Sequence, residues 1–86
     1  MHLAPNMQVT IKLEGQQATL EYYKRNLQVE AVFNRGLKLR WKRLTDGCLE
    51  MGCEGDSNRL KSFLRWCYNG PPLDRAEKVS VTWGSI

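Results

Sequence analysis

Four stretches of the chain alternate apolar and polar residues with period two, the mark of strands buried on one face only. In the first, Val9, Ile11 and Leu13 turn one way and Thr10 and Lys12 the other. Leu37, Leu39 and Trp41 oppose Lys38, Arg40 and Lys42 in the second, and Leu49, Met51 and Cys53 oppose Cys48, Glu50 and Gly52 in the third. The last sets Val79, Val81 and Trp83 against Lys78, Ser80 and Thr82. Two further stretches carry helical spacing. Leu60, Phe63, Leu64 and Cys67 follow i, i+3, i+4, i+7, with Asp56 or Ser57 as cap, Gly70 as stop, and Pro71 and Pro72 barring continuation. Leu20, Tyr23, Leu27 and Ala31 form the stripe of an earlier helix, with Tyr22, Val29 and Phe33 beside it and Gly36 as its C-terminal glycine. Thr45-Asp46-Gly47 marks a hairpin between the second and third strands.

The resulting order is βαββαβ. Right-handed crossovers convert it into an α+β, ferredoxin-like sandwich: a four-stranded antiparallel sheet of order 4-1-3-2 with two helices on one face. The basic second strand falls on an edge, where Lys38, Arg40, Lys42 and Arg43 discourage pairing with other sheets.

With 86 residues the chain holds one core, so the expectation is a single domain over 1–86 with residues 1–7 fraying. No stretch reaches the roughly 18 apolar residues of a membrane helix. The start, MHLAPNMQ, lacks the basic and apolar regions of a signal peptide, and a cytoplasmic location follows as the default expectation. Cys48, Cys53 and Cys67 are odd in number and lack zinc-like spacing. Cys48 and Cys53 fall on opposite faces of their strand, which predicts reduced thiols rather than a metal site. His2, the sole histidine, sits in the expected frayed end. Neither a metal nor a cofactor is expected.

A net charge of +4 permits an anionic partner without demanding one. Stacking of RNA bases on the open sheet face is disfavoured, because the alternation exposes Thr10, Lys12, Cys48, Glu50 and Gly52 there and sends Trp41 and Trp83 to the covered face. Tyr22, Tyr23 and Trp66 are expected to pack rather than to contact a ligand.

The segment LTDGCLEMGCEGDSNRLKSFLRWCYNGPPLDRAEKVSVTW resembles acylphosphatases. Those proteins carry a hairpin of the type N-x-P-D-G-x-V-E, a strand ending in E-G, a helix with F-L-x-W, a G-P-P segment and a last strand V-x-V-x-W. RGLKLRWKRL fits their preceding L-G-L-x-G-W-V-R-N stretch without gaps, so the resemblance covers about residues 36 to 83. It implies a loop of the form G-x-V-Q-G-V-x-F-R after the first strand, whose amides and arginine hold a phosphoryl group. It also implies an asparagine on the second strand that positions the attacking water.

Both elements depart from the family here. Counted back from Gly36, the arginine position falls on Arg25; counted forward from Gly15, it falls on Tyr23. No glycine lies between Gly15 and Gly36, and a nest of amides needs left-handed residues that cost other side chains about 1 kcal/mol or more each. The asparagine position holds Arg43, a donor that cannot accept a hydrogen bond from water. The expectation is therefore an acylphosphatase-like domain with a degenerate catalytic loop, serving as a non-catalytic binding or regulatory module. Its partner would be an unidentified protein or a small phosphate-like anion, met by the open face and by Lys38, Arg40 and Lys42. The alternative is a divergent acylphosphatase using Arg25, Arg43 and the amides around Gly15, Gln16, Gln17, Ala18 and Thr19.

Overall fold

A computed structural model describes residues 6–70 and 75–85. Chain order is β1 (Asn6–Glu14), α1 (Gln17–Leu27), a π-helical turn (Gln28–Phe33), β2 (Lys38–Thr45), β3 (Cys48–Asp56), α2 (Ser57–Asn69) and β4 (Lys78–Ser85). The strands form one antiparallel sheet of order β2-β3-β1-β4. This is the expected 4-1-3-2 arrangement, with α1 over β2 and β3 and α2 over β3 and β1. β1 begins at Asn6, inside the stretch expected to fray, and Met7 pairs with both Gly55 and Ser85. His2 and the Pro71–Pro72 pair lie outside the described residues.

The alternation places the core as the pattern requires. Val9, Ile11 and Leu13 of β1 and Leu49, Met51 and Cys53 of β3 are buried against Leu20, Tyr23 and Leu27 of α1 and Leu60, Phe63 and Cys67 of α2. α2 starts where Asp56 accepts the Arg59 amide at 3.0 Å, satisfying one orphan donor of its first turn. It stops at Gly70, whose φ of 70° suits glycine. Trp66 packs edge-on to Tyr23 at 5.2 Å and stacks on Phe63 at 5.5 Å, locking the two helices together.

Two local expectations change. The first helix does not run unbroken to Gly36. From Gln28 it widens into π turns, with the Asn34 amide reaching back to the Val29 carbonyl at 2.8 Å. Gly36, at φ 66°, and Leu37 close it onto the Val32 and Ala31 carbonyls, each at 2.9 Å. Val29 and Phe33 do not join the apolar stripe; Phe33 is 80% exposed. Both stand on the solvent side of the π-helical turn, away from the buried Leu27 and Ala31.

The second change is in β2. Leu39 faces Cys53 and Trp41 faces Gly52, so Arg40 is an extra residue, a β-bulge that shifts the alternation by one. Trp41 therefore lies on the open face over Gly52, not on the covered face, and Arg43 joins it there opposite Glu50. Lys42 and Leu44 turn to the helix-bearing face, opposite Met51 and Leu49. Trp83 keeps its expected side opposite Val9, but at the sheet edge it remains 40% exposed. Among the described residues no helix is long and apolar enough to cross a membrane.

Candidate functional site

The junction of β1 and α1, where the resemblance implies a phosphoryl-binding loop, is short here. Only Gly15 and Gln16 separate Glu14 from Gln17. Gln16 is extended (φ −71°, ψ 145°) and makes no side-chain cap. Its carbonyl accepts the Leu20 amide at 3.0 Å, so helix begins at once. The junction is tied to its surroundings on two sides. The Gly15 amide donates to the Gly47 carbonyl at 3.3 Å, and the Gly47 amide donates to Gln17 Oε1 at 3.2 Å. On the other side the Glu77 amide donates to the Glu14 carbonyl at 2.8 Å, and its nitrogen lies 3.3 Å from where a Gly15 Cβ would stand. Gly15 thus serves a close approach of backbones rather than a left-handed turn.

The expected ligands are dispersed. Gln16, Gln17 and Ala18 are exposed at the start of α1, while Thr19 is buried. Arg25 is exposed in the last turn of α1, eight residues beyond Gln17, or about 12 Å along the axis. The other alignment of the arginine position lands in the core: Tyr23 is fully buried and donates its hydroxyl to the Cys67 carbonyl at 2.8 Å. Arg43 stands on the open face, where its Nη2 donates to Glu50 Oε1 at 2.8 Å. That hydrogen bond and the attraction between the charges raise the guanidinium pKa and hold the Glu50 carboxyl below its usual range. Arg43 is therefore already engaged with an anion of its own chain.

Lys38 and Arg40 reach the open face and Lys42 the helix-bearing side. Arg40 Nε lies 3.5 Å from Glu54, a carboxylate that is largely buried. The structure adds groups that the alternation did not indicate. Two clefts meet at Gly36. The one of about 310 Å³ is lined by Asn6, Lys38, Glu54, Asp56 and Arg59, and the one of about 500 Å³ by Asn34, Arg35, Asn58, Arg59 and Ser62. Their arginines are paired internally, Arg35 with Glu30 at 2.9 Å and Arg59 with Asp56 at 3.1 Å. Among the described residues no three His, Cys, Asp or Glu side chains gather as a metal site.

No family model matches the chain. The acylphosphatase of Thermococcus kodakarensis is 43% identical over 44 residues, 50% of this chain and 48% of that protein. The chain thus spans about half the length of the curated relatives it matches. The structure of an acylphosphatase from Coxiella burnetii shares the fold, with a TM-score of 0.72 at 19% identity over 95% of this chain and 82% of that one. That of the acylphosphatase from Bacillus subtilis superposes with a TM-score of 0.76 at 30% identity, covering 91% of this chain and 84% of its own. Sheet order, helix placement and this similarity over most of a solved relative agree: the chain belongs to the acylphosphatase family.

Proposed function

We propose that this chain is a non-catalytic acylphosphatase-like domain that acts as a binding or regulatory module. The observation that carries this reading is the two-residue connection between β1 and α1. Phosphoryl transfer of the family's type depends on donors pre-aimed at the transferring group, and such donors count only when they converge. Gly15 is bonded to the Gly47 carbonyl, Arg25 stands about 12 Å along α1, and Arg43 is bonded to Glu50. The open face and the basic β2 edge, with Lys38, Arg40 and Lys42, are the surfaces offered to a partner. Reduced, unpaired Cys48, Cys53 and Cys67 suit a cytoplasmic setting.

The similarity to curated acylphosphatases favours a second reading, a divergent hydrolase of carboxyl-phosphate anhydrides that binds its substrate at Gln16, Gln17 and Ala18. One experiment separates the two. Purified protein and its Arg25→Ala variant are assayed for benzoyl phosphate hydrolysis, and phosphate is titrated by NMR. The expected result is hydrolysis at the buffer rate and no phosphate-induced shifts over residues 15–25. Turnover well above buffer that Arg25→Ala removes would overturn the non-catalytic reading.

A further inference from the structure

The two edges of the sheet are built differently. β2 carries a bulge and the cations Lys38, Arg40, Lys42 and Arg43, features that turn other strands away. β4 has none of these. It pairs with β1 from Lys78 to Ser85 without a register shift, contains no proline, and has Lys78 at its start as its only charge. Among the described residues its outer side is an unpaired row of N–H and C=O groups.

Beside this row the helix-bearing face of β4 carries Val79 and Val81, half-buried against the core, and the partly exposed Trp83. The neighbouring strand β1 is covered by α2. That helix meets the α1 side through Trp66, packed on Tyr23, and Ser62, whose hydroxyl accepts from Arg35 at 3.0 Å. At about 100° per residue, positions 61, 65 and 68 fall on the opposite flank. Because α2 lies over β3 and β1 and α1 over β3 and β2, that flank overlooks β4. It presents exposed Lys61 and Arg65 and the 53% exposed Tyr68. Neither α2 nor β4 contains an acidic residue, so Lys61 and Arg65 have no counter-charge on their own helix, while Lys78 lies 4.0 Å from Glu14 of β1.

We propose that β4 and the adjoining flank of α2 form a docking groove for an extended acidic peptide segment of another protein, which adds as a fifth strand and sets its carboxylates against Lys61 and Arg65. The free edge demands a partner with backbone donors and acceptors, which a nucleic acid does not provide. The cations demand negative charge. A second copy of this chain meets the first demand and fails the second, since pairing two β4 edges edge to edge brings a second set of the cations Lys61 and Arg65 rather than carboxylates to the helix-bearing side. The groove begins next to the β1–α1 junction, where Lys78 pairs with Glu14, but it uses none of the residues 15–19 and serves whether or not that junction is catalytic.

The probe is a capped nine-residue peptide alternating glutamate with valine, titrated into the isotope-labelled full chain. Shifts are expected along residues 79–84 and at Lys61, Arg65 and Tyr68. Lys61→Glu with Arg65→Glu, two exposed positions whose exchange leaves the thermal midpoint nearly unchanged, should weaken binding at least about tenfold. Two peptides N-methylated on alternate residues in opposite phases keep the charge, and only the phase facing β4 should lose binding. Equal binding of both phases, shifts centred on Trp41 and Arg43, or self-association that excludes the peptide would each overturn the proposal.

Discussion

Tyr23 is enclosed on all sides, yet its hydroxyl is fully used. It donates to the Cys67 carbonyl at 2.8 Å and accepts from the Ala76 amide, so one side chain of α1 fastens the last turn of α2 to the segment entering β4. Tyr23→Phe keeps the ring packing against Trp66 and removes both bonds, leaving a buried carbonyl and amide short of a partner. The expected loss is about 1–3 kcal/mol, read as a lower denaturant midpoint at unchanged m-value. A second residue-scale test concerns Gly52. Any Cβ there would collide with the Trp41 indole, which can leave only by swinging toward solvent. Gly52→Ala should therefore shift the Trp41 indole N–H resonance strongly while costing about 1 kcal/mol or less, because the side chain is already 44% exposed. An unmoved resonance would mean that the indole does not rest on Gly52.

At the scale of elements, Leu37 links the end of the π-helical turn to the sheet. It is 2% exposed, its amide closes the turn onto the Ala31 carbonyl, and its side chain fills the space that a Cβ on Gly55 would need. Leu37→Ala should cost about 2–4 kcal/mol, with hydrogen exchange speeding up first in residues 28–37; uniform acceleration over the sheet would argue against a local closure. The neighbouring elements show what the pattern could and could not reveal. Period-two alternation defined β1, β3 and β4 because each stays in register along its length. In β2 the same rule assigned Trp41 to the wrong face, since one inserted residue inverts every position after it. The signal was present: Leu39 and Leu44 both turn to the core although they stand five positions apart, an odd offset that a regular strand would place on opposite faces. The π turns gave no comparable sign, because Ala31 continues the apolar stripe and is buried as an unbroken helix would bury it. At the candidate site, the lack of glycine between Gly15 and Gly36 was legible as helix already under way, and α1 does begin at Gln17. The position of Arg25 was not legible, because it depends on how many residues the connection uses before helix begins.

For the molecule as a whole, stability against pH is set at its two ends by unlike groups. On the acid side the lowered Glu50 carboxyl contributes above its unfolded pKa and loses that contribution as pH falls through its folded value, a small effect for an exposed pair. The alkaline side is governed by the core. Burial pushes the Cys53 thiol up to about 12, from an ordinary value of 9.0, and raises Cys67 and Tyr23 as well. Each of these groups has a folded pKa above its unfolded one. Their contribution is thus complete below pH 9 and declines as pH climbs toward the folded values, where the unfolded chain has released protons that the folded chain still holds. For Cys53 alone the loss is on the order of 4 kcal/mol across that span. The thermal midpoint should accordingly be flat from neutral pH to about 9 and fall steeply beyond it. Cys53→Ala lowers the midpoint at neutral pH through the small cavity it leaves, and it also removes one titrating thiol. Its midpoint should therefore fall less steeply above pH 9 and draw closer to that of the parent protein. Parallel curves for the two proteins would show that the Cys53 thiol is not held protonated by the core.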